Sequence, residues 1–246
     1  MKKEILLGGL TLVLILYIFF VGVPVIKFEN EKRVIQMKPE ENKFSKNIQI
    51  LLPAVDEDEK GTMAQLTVQI SEGEGRTLLQ INDIIFWEDT QESIRIAKSV
   101  AEDITGIDTS KYNIIYSVDA NASKIEGPSA GPAMAIATSI GLKNKNINTS
   151  VVISGYLRED GKIEKVSGIL SKARVAKENG IKLFIIPQGQ AFQTKLETEE
   201  VCTGDFLTKF CETKTIEKKV DIQEEIGIDV IEVESISEAL EYFIID

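Results

Sequence analysis

A chain of 246 residues has room for one medium-sized domain or two small ones, and 43% hydrophobic with 27% charged residues is the composition of a globular protein, not of a disordered one. The formal charge of −11 argues against nucleic acid as a partner, because a phosphate backbone repels an acidic surface. Histidine is absent and there are only two cysteines, which removes Ser-His-Asp and Cys-His catalysis, histidine-ligated metals and four-thiolate zinc.

A hydrolase written in this alphabet must take its proton with a carboxylate, a lysine, a metal-bound water or an amino terminus. From Ile5 to Ile26 no residue is charged. At about 1.5 Å per residue such a run spans roughly the 30 Å of a hydrocarbon core. No small-x-small cleavage site follows it, so residues 1–27 are expected to form a retained signal anchor, one N-terminal transmembrane helix. Lys2 and Lys3 ahead of the span favour a cytoplasmic amino terminus and a body outside the cytoplasm. Lys27, Lys32, Arg33 and Lys38 behind it pull the other way, but the charge rule weakens when a whole domain follows. Residues 28–47 are charge-rich with one proline and read as a linker, leaving 48–246 as the folded domain.

Within that domain Ala64, Leu66, Val68 and Ile70 alternate with polar residues, the period of a half-buried strand. Ser71–Gly75 reads as a turn and Thr77–Ile81 as a returning strand. A helix is expected over Thr90–Ile104 with Gly106 as its stop, then a strand over Asn113–Val118. Ser129–Leu142 is a helix dense in small residues, Ser150–Ser154 a strand, and Leu157–Ile163 a hairpin turning at Asp160-Gly161. A helix over Gly168–Asn179, strands over Leu183–Ile186 and Val230–Val233, and a closing helix over Ser235–Tyr242 complete an α+β, or mixed α/β, domain.

No phosphate-binding loop is present, since the nearest match, Gly155 to Gly161-Lys162, is one residue too long and lacks the Ser or Thr. The stretch Glu126-Gly127-Pro128-Ser129-Ala130-Gly131-Pro132 is more informative. Gly127 permits close approach of backbone, and Pro128 presets φ for a first helical turn. Ser129 then sits where a helix opens, beside N–H groups that have no partner within the helix and can receive an oxyanion. Such a serine is also an ordinary helix cap. On the helix expected at Gly168–Asn179, Lys172 falls on the inward flank with Ala176, while Arg174 and Glu178 face water. A lysine held among apolar groups loses its charge readily and can serve as a general base.

Glu126-Gly-Pro-Ser-Ala-Gly131, Val152-Ile-Ser-Gly155, Gly161-Lys-Ile-Glu-Lys-Val-Ser-Gly168, Lys172 and Asn179-Gly-Ile-Lys-Leu-Phe-Ile-Ile-Pro187 together resemble the proteolytic domain of the Lon family. The resemblance runs from about Met63 to the carboxyl terminus. It implies a Lon-protease-type fold and a catalytic dyad of Ser129 and Lys172, 43 positions apart (172 − 129) as the family pattern requires. It also implies a hydroxyl beside the lysine at Ser154, with Glu126 and Gly127 as supporting residues ahead of the nucleophile. Glu126 stands where the family most often has aspartate, and Asp119-Ala-Asn121 departs from its Pro-Glu-Gly. The largest departure from the family is the missing ATPase module, so the expected activity is that of an ATP-independent serine endopeptidase on unfolded or flexible polypeptides at the membrane. It needs no cofactor or metal, and the family suggests a ring-like homo-oligomer. A Lon-like domain that has lost catalysis and serves as a membrane-anchored binding module is the alternative. Thr198–Glu225 is longer than the family's usual connection and holds Cys202 and Cys211, either a disulfide or two buried thiols.

Overall fold

Alternation explains the first sheet. In β1 (Ser45–Val55) Ile48, Ile50 and Leu52 point inward, and in β2 (Gly61–Glu72) Ala64, Leu66, Val68 and Ile70 do the same. The two pair antiparallel, so both apolar rows share one face. The computed structural model describes residues 44–56, 59–80, 88–120, 128–203 and 210–245. The apolar run at residues 5–26 and most of the linker lie outside these, as do Glu126 and Gly127. Among the described residues no helix is long and apolar enough to cross a membrane. β1 takes in Ser45–Asn47, the last residues of the segment expected to be linker.

The returning strand after Gly75 exists, but it does not pair with β2. Both edges of β2 are taken, one by β1 and the other by β4 (Tyr112–Ala120). β3 (Thr77–Gln80) therefore lies parallel to the far edge of β4, giving the order β1-β2-β4-β3. Asn113 fixes this detour: its Oδ1 accepts from the backbone N–H groups of Glu74 and Arg76, at 3.1 and 3.0 Å.

Two helices cover the sheet. α1 (Glu88–Thr105) buries Ile94, Ala97, Val100 and Ala101 along one stripe. α2 (Gly131–Leu142) is buried on every side, which its run of Gly, Ala and Ile permits. A β-carbon on Gly141 would lie 2.6 Å from Ile70 Cδ1, so small residues set how closely α2 approaches β2. β5 (Asn146–Ile147) follows α2.

A second sheet carries three parallel strands in the order β12-β9-β6: β6 (Val151–Ile153), β9 (Leu183–Pro187) and β12 (Asp229–Val233). β7 (Tyr156–Leu157) and β8 (Ile163–Glu164) form the expected hairpin. α3 (Ile169–Glu178) is the crossover from β6 to β9 and buries Ile169, Ala173 and Ala176 against Val152, Phe184 and Ile186. Strands buried like this read as continuous apolar runs, as Leu183–Pro187 does.

The segment after β9 holds the largest difference from the sequence reading. β10 (Phe192–Thr203) and β11 (Phe210–Asp221) form a long antiparallel hairpin whose opposed Cys202 and Cys211 are joined by a disulfide. Thr198, Glu199 and Glu200 are all exposed. An arm wet on both faces has no apolar alternation, so periodicity gave no sign of it. α4 (Ile222–Ile226) returns the chain to the body. α5 (Ile236–Phe243) starts at Ser235, whose Oγ accepts from Glu238 N–H at 3.3 Å, and β13 (Ile244–Ile245) pairs with β5.

Candidate active site

Ser129 sits in a single 3-10 turn, Pro128–Ala130, immediately before α2. The helix thus begins two residues later than the sequence suggests. With prolines at 128 and 132, neither of which has an N–H, a tight turn is the shape this stretch takes most easily. A β-carbon at Gly131 would stand 3.0 Å from Leu157 Cβ, so glycine lets the start of α2 press against β7. Ser129 remains half-exposed, as a nucleophile must.

Lys172 comes from the opposite direction. Its own N–H closes the first turn of α3 by donating to Gly168 C=O at 2.9 Å. Gly168 is left-handed, with φ of 71°, and a β-carbon there would be 2.9 Å from Val55 Cγ1. Both the conformation and the space demand glycine. The Lys172 side chain is 3% exposed, on the inward flank that its spacing predicts.

The two residues meet. Lys172 Nζ lies 3.1 Å from Ser129 Oγ and 3.2 Å from Ser154 Oγ. Ser154 follows β6 directly, is fully buried, and donates its backbone N–H to Ile185 C=O of β9 at 3.1 Å. Burial brings the Lys172 ammonium down to about 8, because charge is disfavoured away from water. Near neutral pH a useful fraction of the amine is therefore uncharged and able to accept a proton.

One polar residue of this region escaped sequence reading. Gln190 is buried just after β9, where its Oε1 accepts from Val166 N–H at 3.0 Å and its Nε2 donates to Val166 C=O at 2.7 Å. No motif or period marks it.

Two other features lie apart from this cluster. A groove of about 670 Å³ between β3 and α1 is lined by Leu78, Leu79, Ile94, Arg95 and Lys98, and touches neither Ser129 nor Lys172. Glu200, Cys202 and Cys211 lie within reach of one metal ion, but both sulfurs are held in the disulfide.

The profile of the Lon protease (S16) C-terminal proteolytic domain matches residues 57–240. The Lon protease of Buchnera aphidicola is 33% identical over 117 residues, 45% of this chain and 14% of that protein. The Lon protease of Lachnoclostridium phytofermentans is 29% identical over 148 residues, 58% of this chain and 18% of that protein. The archaeal Lon protease of Archaeoglobus fulgidus is 24% identical over 139 residues, 56% of this chain and 22% of that protein. The matched stretch is thus less than a quarter of each of these relatives. Because the family profile covers most of its length, from the β1–β2 turn to α5, this chain belongs to the family of Lon protease (S16) C-terminal proteolytic domains.

Proposed function

We propose that this chain is a serine endopeptidase in which Ser129 is the nucleophile and Lys172 its general base. The observation that carries the reading is a lysine amine, 3% exposed and brought down to about 8 by burial, 3.1 Å from a half-exposed serine hydroxyl. Ser129 Oγ attacks the peptide carbonyl carbon while its proton passes to Lys172 Nζ. N–H groups at the start of α2, at the positive end of the helix dipole, stabilise the oxyanion. Collapse of the tetrahedral intermediate breaks the C–N bond, and Lys172 returns the proton to the leaving amine. Water, deprotonated by the same amine, then frees the acyl group from Ser129. Ser154 holds the amine in line, and Glu126 and Gly127, next to the nucleophile in sequence, are the supporting residues that the family resemblance implies.

Every proton in this cycle is carried by the dyad, so hydrolysis itself uses neither nucleotide nor metal. Substrates are polypeptides flexible enough to lie extended across Ser129. The apolar run at residues 5–26 anchors the domain to the membrane, with residues from about Lys27 onward outside the cytoplasm, and ring-like self-association follows the family. The full chain in detergent, assayed on unfolded casein without nucleotide, tests the dyad. Ser129→Ala and Lys172→Ala each lose at least about 100-fold in rate while keeping the circular dichroism of the parent. Retention of more than a tenth of the rate by either variant removes the dyad, and an inert parent chain favours the binding module. Protease added to sealed right-side-out vesicles tests the topology, since a carboxyl-terminal tag that survives places the domain inside.

A further inference from the structure

The start of α3 carries Lys172 but has no side-chain cap of its own: Gly168 at its N-cap offers none. Packing of Ile169, Ala173 and Ala176 seats the helix, and the loop Lys165–Gly168 leads directly into its first turn. In that loop Val166 has both backbone groups bonded to one side chain, the buried amide of Gln190, at 3.0 and 2.7 Å. A primary amide that donates and accepts across a single residue does what a neighbouring strand would do. Gln190 in turn follows β9 after a tight turn at Gly189, whose φ is 77°. The adjoining Ala191 is held on two sides, with its N–H donating to Glu232 Oε1 at 2.6 Å and its C=O accepting from Ile222 N–H at 3.0 Å.

β9 also sets the second partner of the amine. Ile185 C=O receives the Ser154 N–H, and β6 pairs with β9 directly ahead of Ser154. One strand is thus the common reference for Ser154, through the backbone, and for the first turn of α3, through Gln190. From Val166 to the helical bond between Gly168 C=O and Lys172 N–H there are only two residues of chain.

We propose that Gln190 is a positioning residue for Lys172, fastening the first turn of α3 to β9 through both backbone groups of Val166. This rests on Lys172 being the base of the peptidase proposed above. Removal of the amide frees the loop, lets water reach the amine and lengthens its approach to Ser129. The effect falls on turnover, not on substrate binding, because Gln190 is buried and its amide is engaged by Val166.

The test is Gln190→Leu, which keeps bulk and removes both hydrogen bonds, in the full chain in detergent. Casein turnover is measured together with the titration of Lys172 by NMR of ε-¹³C-labelled lysine, its resonance assigned by loss in Lys172→Met. The expected result is a roughly 10-fold fall in kcat with KM within about twofold, and a Lys172 titration displaced from about 8 toward the ordinary 10.5. Gln190→Met, neutral and unbranched like glutamine, also removes both hydrogen bonds and shows a displacement in the same direction without adding a charge. It carries the test alone if the leucine variant does not fold. Ile48→Val, in the other apolar cluster, controls for lost stability. An unmoved titration in both Gln190 variants overturns the proposal, as does the same kcat loss in Ile48→Val at equal loss of Tm. Failure of the dyad is separately visible, because then Ser129→Ala retains hydrolysis while the Lys172 resonance still reports on Gln190.

Discussion

Ser154 Oγ lies 3.2 Å from Lys172 Nζ, scarcely farther than Ser129 Oγ at 3.1 Å, so a single amine is held between two hydroxyls. The two are not equivalent. Ser154 is fully buried just after a parallel strand, whereas Ser129 is half-exposed in a turn. In the proposed mechanism the first orients the amine and the second reacts.

Ser154→Ala is therefore expected to lower kcat by about 10-fold and leave KM nearly unchanged, because it removes alignment but neither reacting group. Ser154→Thr, which keeps the hydroxyl, should recover part of the rate. Steady-state kinetics on a peptide substrate decides. Equal rates for the parent and Ser154→Ala would make Ser154 a packing residue.

Burying Lys172 has a consequence for stability. Its pKa falls from 10.5 when unfolded to about 8 in the fold, so between these values the unfolded chain binds more protons and stability rises with pH. Below about pH 8 both states are protonated and the full penalty, on the order of 3 kcal/mol, is present. Lys172→Met should accordingly raise Tm near pH 7, less whatever the two abandoned hydroxyls lose. That advantage should shrink as pH climbs from 8 toward 10.5. Thermal melts of both proteins across this range test it, and a constant difference in Tm would show that the lysine is not desolvated.

Catalysis should follow the same titration with the opposite outcome for the protonated form. Activity of the parent is expected to rise with pH as Lys172 loses its proton, with a midpoint near 8 in kcat/KM. A flat profile through this region would exclude Lys172 as base.

Gly168→Ala meets two obstacles. The left-handed conformation at φ 71° costs about 1–2 kcal/mol for a residue with a β-carbon. The added atom would also stand 2.9 Å from Val55 Cγ1, and overpacking of that kind typically costs about 1–3 kcal/mol more. Val55→Ala in the same chain relieves only the second. The double variant should regain part of the lost Tm, and its failure to do so would place the whole cost in the backbone.

Reduction of the Cys202–Cys211 disulfide should loosen the β10–β11 arm and leave the body intact. A two-stranded hairpin is marginal in water by itself, and closing so short a loop is worth roughly 2–3 kcal/mol. Trypsin with and without reductant reads this directly, through cleavage at Lys214, Lys218 and Lys219. Equal rates in both conditions would mean that the ion pairs of Lys195 with Glu197 and Glu225 hold the arm unaided.

Buried, periodic elements were the legible part of this fold. α3 could be read because Ile169, Ala173 and Ala176 repeat on one face, and that same repeat placed Lys172 inward. β2 was legible for the same reason. Its partners are not, since local alternation does not reveal which strand lies opposite: the turn at Ser71–Gly75 predicts a returning strand, and that strand, β3, pairs with β4. The arm was invisible because threonine, glutamate and lysine on both faces carry no period. Ser129 and Ser154 became candidates through motif resemblance, with position in the helix start helping only the former. Gln190 could not be found at all, because its role depends on a backbone 24 positions away.

α3 joins β6 to β9, and crossovers between parallel strands close with one hand. The base of the proposed dyad is thus carried on the connection that builds the second sheet. β6 cannot pair with β9 until the chain through residue 172 has looped back, a non-local step slower than hairpin formation. In a refolding experiment the appearance of peptidase activity should therefore not precede protection of the Phe184 and Ile185 amides from exchange. Activity that appears before that protection would show that the dyad forms without the second sheet.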